Sequence, residues 1–237
     1  MAIKAVVFDL DDTLWDVNPV IRRAEQVHYQ WLNNHAPKLT ARFTIRELKG
    51  YRISLARRHP ELSHFVTRSR MKALHQCLRL SGYSESETLQ LSEQAFAVFW
   101  QARNQIEPFP YAMEALEGLK RDYLVGALTN GNADVFQTPL GEWFDFAFTA
   151  EGLSVAKPDV RAFQAVLDHL DCQPDEIAFV GDNPEHDIEG AKAMGMKTIW
   201  VQVKPWLKLK QPVECDQQVD DLQHLHQAVR ALDQVEV

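Results

Sequence analysis

Three aspartates, Asp9, Asp11 and Asp12, fall within four positions directly after the apolar run Ala5-Val-Val-Phe8. Carboxylates cannot share a core unpaired, so they belong just beyond a buried strand, at its carboxyl end. Asp9 and Asp11, two positions apart, can converge there and attract a hard cation. Mg²⁺ suits such a site because it takes oxygen ligands, keeps several waters and uses one or two protein carboxylates. One carboxylate can also act as a nucleophile while a neighbour, kept protonated by like-charge repulsion, serves as acid and then as base. On its own, the Asp-x-Asp pair reads more readily as an acidic turn after a strand.

Further candidates stand at the ends of later segments. Leu124-Val-Gly-Ala-Leu-Thr-Asn-Gly131 contains Thr129, Ala156-Lys-Pro-Asp159 carries Lys157, and Ile177-Ala-Phe-Val-Gly-Asp-Asn-Pro-Glu-His-Asp187 contains Asp182 and Asp187. Singly, Thr129 is a strand-end hydroxyl and Lys157 a surface lysine. With Phe8-Asp-Leu-Asp-Asp-Thr-Leu14 in front, the four segments resemble, in order, the motifs of the haloacid dehalogenase-like hydrolases, the superfamily of aspartate-nucleophile phosphatases. The resemblance covers most of the chain apart from a helical insertion and the C-terminal stretch.

The resemblance implies an α/β fold, a doubly wound parallel sheet, and a role for each matching residue. Asp9 attacks phosphorus to give an aspartyl-phosphate; Asp11 protonates the leaving oxygen and then activates the hydrolytic water. Mg²⁺ is held by Asp9, Asp182 and the backbone carbonyl of Asp11, with Asp187 orienting metal waters. Thr129 and the backbone N–H groups of Asn130 and Gly131 bind a phosphoryl oxygen, and Lys157 neutralises the nucleophile and the transferring group. Asn183 is either a group behind the metal ligands or a turn residue. Asp12 is expected as a solvated loop acid, Thr13 as a loop-stabilising hydroxyl, and His186 stays outside a hard oxygen site. A haloalkanoate dehalogenase would have no use for a second acid or for Mg²⁺. A sugar phosphomutase shares the four motifs, and a silent binding protein would show decay of at least one of them. The substrates implied are small phosphomonoesters such as flavin mononucleotide, nucleotides or sugar phosphates.

The elements that must position these residues alternate between strand and helix. Strands are expected at 124–128, 144–148, 177–180 and 198–201 besides the first, with helices at 111–122, 160–170 and 220–231, the pattern of βαβ units around a parallel sheet. Between Val17 and Asn104 the pattern is helix upon helix, so the core comprises 1–16 and 105–237 and the insertion 17–104. Thr44-Ile-Arg-Glu47 fits a capping box for one inserted helix, which must stop by Pro60, and Gly82 closes the next. By resemblance this insertion is a mobile cap. Residues 204–212 are expected as a surface loop.

Residues 42–72 hold nine Lys or Arg against Glu47 and Glu61, in a chain whose formal net charge is −8. Most of these cations fall on the polar face of a helix. Arg70 instead shares a stripe with Val66, Met71, Leu74, Cys77 and Leu78. A guanidinium on an apolar face must snorkel, pair with a buried acid or meet a charged ligand, and contact with the substrate is the expectation adopted for it.

The overall negative charge disfavours a nucleic-acid polymer or an anionic membrane as partner. A small phosphorylated metabolite is the expected partner. With no apolar stretch long enough to span a bilayer and no signal-peptide pattern, a cytoplasmic location is expected. Cys77, Cys172 and Cys215 are far apart and suggest neither zinc nor a disulfide framework. Oligomeric state is not legible in these patterns.

Overall fold

The computed structural model describes residues 2–62, 64–204 and 213–233. The chain divides into two compact units, one comprising Met1–Asp16 with Ile106–Val237 and the other Val17–Gln105. Gln105 falls with the helices in this division.

The first unit is built on a six-stranded parallel sheet: β1 (Ala5–Phe8), β2 (Leu124–Thr129), β3 (Phe146–Thr149), β4 (Ile177–Gly181), β5 (Lys197–Val201) and β6 (Gln217–Val219). The spatial order is β3-β2-β1-β4-β5-β6. All four residues of β1 are buried, as a central strand covered on both faces requires. Phe8 lies in register with Ala127 on one side and Val180 on the other. The chain winds outward from β1 to β3, then restarts at β4 and winds the other way. Such a reversal opens a crevice at the carboxyl ends of the two strands that flank it, here β1 and β4.

In the second unit the helices are α1 (Val17–His35), α2 (Pro37–Thr40), α3 (Ile45–Arg58), α4 (Val66–Leu80) and α5 (Glu85–Arg103). Thr44 and Glu47 form the expected reciprocal capping box, and Ser84 with Glu87 forms a second, each cap contributing about 1 kcal/mol. Gly82 ends α4 with φ +86°, a left-handed conformation that favours glycine. Leu32, Ala36, Leu39, Leu74, Cys77, Leu78, Tyr83 and Ala95 make the main core of this unit.

The remaining helices, α6 (Ala112–Lys120), α7 (Ala150–Leu153), α8 (Val160–Leu170), α9 (Gly190–Ala193) and α10 (Leu225–Leu232), belong to the first unit. Ala162, Phe163, Val166 and Leu167 of α8 cluster with Val7, Leu128, Ile177 and Phe179 of the sheet, and the Phe163 and Phe179 rings meet edge to face at 5.2 Å. Two departures from expectation concern short elements. The sixth strand, Gln217-Gln-Val219, has no apolar run to announce it. The final helix starts only at Leu225, after a 3₁₀ turn at Leu222–His224. Of the loop expected at 204–212, residues 205–212 lie outside the described residues, whereas Lys204 is buried. Among the described residues no helix is long and apolar enough to cross a membrane.

Candidate active site

The residues at the strand ends converge. Asp9 follows β1 and its backbone N–H extends the ladder to the Val180 carbonyl at 2.8 Å; Asp182 follows β4. One carboxylate oxygen from each of Asp9, Asp182 and Asp187 lies within 4.8 Å of the others. Lys157, 1% exposed, donates from Nζ to Asp9 Oδ1 and to Asp187 Oδ1, both at 2.7 Å. Burial pushes Asp9 well above the usual carboxylate range; Lys157 pulls it down, and Asp187 and Asp182 push it up again. Burial likewise opposes the charge on Lys157, but Asp187 and Asp9 outweigh it and its pKa is raised. Burial, then the neighbouring Asp187 and Asp12 carboxylates, raise Asp182 to about 7. Three carboxylates thus face one ammonium, and the surplus of buried negative charge is what a divalent cation offsets. The donor set, oxygen only and carboxylate-rich, fits Mg²⁺.

Local structure holds each group in place. An added Cβ on Gly181 would fall 2.4 Å from Asp187 Oδ2, so the end of β4 must be glycine for Asp187 to pack against it. Asp187 Oδ2 also accepts from the Asn183 backbone N–H at 2.9 Å. It stands on a π-helical turn, Pro184–Glu189, that Asn183 caps by accepting from Glu185 and His186 N–H groups. Of the two roles open to Asn183, the turn residue is the one its side chain fulfils. The expectation for Asn130 concerns its backbone N–H; its side chain has a separate role. Its Oδ1 accepts from the Lys157 N–H at 2.8 Å and its Nδ2 donates to the Lys157 carbonyl at 2.9 Å, so the amide clamps the backbone that carries the lysine. Thr129 is buried and accepts the Gly131 N–H at 3.0 Å, which takes that N–H out of the expected phosphoryl cradle.

Asp11 stands apart from the group of three. Its Oδ1 accepts the Trp15 indole N–H at 2.8 Å. Two expectations for the loop are corrected. Asp12 is not simply solvated, since its Oδ1 accepts from Lys204 Nζ at 2.6 Å, and Asp16 accepts from the same ammonium at 2.8 Å. Thr13, fully buried, donates to Asp182 Oδ1 at 3.3 Å rather than only bracing the loop. Lys204 also lines, with Asp12, Asp182, Trp200 and others, a cavity of about 220 Å³. Nothing in the sequence around Lys204 marks it, because its partners lie some 190 positions away.

In the helical unit Arg70 is 8% exposed and lies on the buried stripe of α4. Its Nη2 donates to Glu25 Oε1 of α1 at 2.9 Å, Arg52 reaches the same oxygen at 3.3 Å, and the Arg70 guanidinium lies 3.6 Å from the centre of the Phe99 ring. Of the three fates open to a guanidinium on an apolar face, pairing with a buried acid is the one the structure displays, and the substrate contact expected of Arg70 is not needed to account for its position.

A parallel sheet with the haloacid dehalogenase-like strand order, an aspartate pair after β1 and further acids after β4 define a class, and residues 3–195 match the haloacid dehalogenase-like hydrolase family. The chain belongs to that family and is a hydrolase. The 5-amino-6-(5-phospho-D-ribitylamino)uracil phosphatase YigB of Escherichia coli (strain K12) is 32% identical over 200 residues, 84% of each chain. The (S)-2-haloacid dehalogenase 1 of Pseudomonas sp. (strain CBS-3) is 28% identical over 204 residues, 83% of each. The crystal structure of 2-haloacid dehalogenase from Pseudomonas syringae pv. Tomato DC3000 matches with a TM-score of 0.88 and 36% identity, covering 97% of this chain and 99% of that one. The similar proteins therefore carry two kinds of activity, phosphate-ester and carbon–halogen cleavage.

Proposed function

We propose that this chain is a Mg²⁺-dependent phosphatase that hydrolyses small phosphomonoesters through an aspartyl-phosphate on Asp9. The observation that carries this reading is the second acid, Asp11, two positions after Asp9 and held by the Trp15 indole. An alkoxide leaves phosphorus far more readily if it receives a proton, whereas a halide leaves carbon as a stable anion and needs none. The carboxylate group argues in the same direction, because it would repel the carboxylate of a haloacid unless a cation lay between them.

In the first half-reaction an oxygen of Asp9 attacks the phosphorus, the ester P–O bond breaks, and the proton of Asp11 passes to the departing alkoxide. In the second, Asp11 takes a proton from a water that attacks the phosphoryl phosphorus, the P–O bond to Asp9 breaks, and orthophosphate leaves. Lys157 keeps the nucleophile aligned and supplies positive charge to the transferring group, and Thr129 offers its hydroxyl to a phosphoryl oxygen. Asp9 and Asp182 would hold the cation, with Asp187 behind them because both its oxygens already accept hydrogen bonds. Bound Mg²⁺ supplies charge that lets an anionic nucleophile and an anionic phosphate approach.

The substrate class is a free phosphorylated metabolite of the cytoplasm: a flavin or other nucleotide, a sugar phosphate, or a ribityl phosphate of the kind in YigB's name. The dehalogenase reading is favoured by the 36% identity to a protein so titled, and one experiment separates the two. Phosphate release from a panel of phosphomonoesters, and chloride release from 2-chloropropionate, are followed with and without Mg²⁺. Mg²⁺-dependent phosphate release with no chloride release is expected; metal-independent chloride release without phosphatase activity would overturn the proposal.

A further inference from the structure

We infer that Trp15 is a positioning residue for Asp11, its indole N–H fixing which carboxylate oxygen carries the transferable proton. The inference rests on the reading of Asp11 as acid and base. An indole N–H can only donate a hydrogen bond. Lying 2.8 Å from Asp11 Oδ1, it makes that oxygen the acceptor in both protonation states and leaves the proton to Oδ2. In the first half-reaction the Oδ2–H bond breaks, the proton goes to the ester oxygen and the bonding pair stays on Oδ2. In the second, Oδ2 takes one proton from the attacking water. Trp15 exchanges nothing.

The indole can do this because its surroundings are fixed on every side. Trp15 is 0% exposed, and its backbone forms isolated bridges with Asp11 and with Pro108. Its carbonyl accepts the Asp12 N–H at 2.8 Å, and the neighbouring Leu14 carbonyl accepts the Phe109 N–H at 2.8 Å. Asp12, held at φ +66°, and Asp16 flank the indole in sequence and are tied to one buried ammonium, that of Lys204. A loop that follows a catalytic strand would ordinarily let a carboxylate rotate about χ1 and χ2. This one is stitched at both ends and donates to the carboxylate from within, which is the kind of support a reacting group needs to stay within about 0.5 Å of its working geometry.

The test uses the full chain with Mg²⁺ and two phosphomonoesters that differ in leaving group: p-nitrophenyl phosphate, whose phenolate departs without a proton, and an alkyl phosphate, whose alkoxide does not. The parameter kcat/KM reports on the first half-reaction in both cases. Trp15→Phe keeps a ring in the buried position and removes the donor together with part of the indole. It is expected to lower kcat/KM for the alkyl ester about tenfold or more, a part of the roughly 10²–10⁴-fold that general acid catalysis contributes, and for the aryl ester by less than about a third of that factor. An equal loss on both esters, or no loss on either, overturns the inference. Asp11→Ala run alongside separates the two levels. If it too fails to discriminate between the esters, the acid–base reading of Asp11 falls and takes this inference with it; if it discriminates and Trp15→Phe does not, the inference about Trp15 alone falls. Should Trp15→Phe not fold, indole ¹⁵N–¹H spectra of the chain, with its six tryptophans, answer the question. Asp11→Ala should move one indole signal strongly, and an unchanged set of signals would contradict the hydrogen bond.

Discussion

Buried charge dominates the chemistry of single residues in this protein. Lys157 touches Asp9 and Asp187 from a site that excludes water and lies 5.1 Å from the centre of the Phe179 ring. Removing Lys157 leaves both carboxylates uncompensated, which for a buried pair costs several kcal/mol. His28 shows the same physics with a neutral group. It is 7% exposed, its Nε2 has no hydrogen-bond partner among the described residues, and burial, reinforced by Arg70, lowers its pKa to about 4. Above pH about 6.5 the imidazole is neutral folded or unfolded. As pH falls below that value the unfolded state takes a proton that the folded state refuses, so stability drops until about pH 4, by about 3 kcal/mol in all. The raised Asp182 acts in the opposite sense over the same range, so the His28 contribution is read as a difference: urea unfolding between pH 4 and 7.5 should show the unsubstituted chain losing stability relative to His28→Leu as pH falls, and a difference that does not change with pH would mean the titration lies elsewhere.

At the scale of elements, the Arg70–Glu25 pair ties α4 to α1, with Arg52 of α3 on the same carboxylate. Arg70→Ala leaves Glu25 buried and half compensated, and it should destabilise the protein by about 3 kcal/mol, read as a lower urea midpoint. Removing both charges with Arg70→Met and Glu25→Met should restore most of the loss. A raised KM with undiminished stability would instead return Arg70 to the substrate contact expected from its sequence. The stripe that contains Arg70 was legible because helical periodicity depends only on local spacing. Its partner was not, because Glu25 sits 45 positions away on another helix. Strands β1, β2 and β4 were legible for the same local reason, each being an apolar run that ends on a polar residue. The sixth strand, with two glutamines in three residues, has no such run, and it is recognised only by its pairing with β5.

For the whole molecule, four short motifs spread along the chain foretold the parallel sheet, and the fold brings Asp9, Lys157, Asp182 and Asp187 together. Residue types at strand ends carry that much because the parallel topology brings all such ends to one edge. The groups that hold those residues were not readable. Asn130 clamps a backbone 27 positions on, Lys204 reaches back to the first loop, and Trp15 looks in the sequence like one more apolar residue after a turn. Each is defined by a partner that only the fold supplies. The central claim is that Asp9 is the nucleophile of phosphoryl transfer, and acid quench during turnover followed by mass spectrometry tests it most directly. The account predicts one added phosphoryl group on Asp9, accumulating when Asp11→Asn slows hydrolysis and absent from Asp9→Asn. A phosphoryl group on another residue, or undiminished turnover by Asp9→Asn, would contradict it.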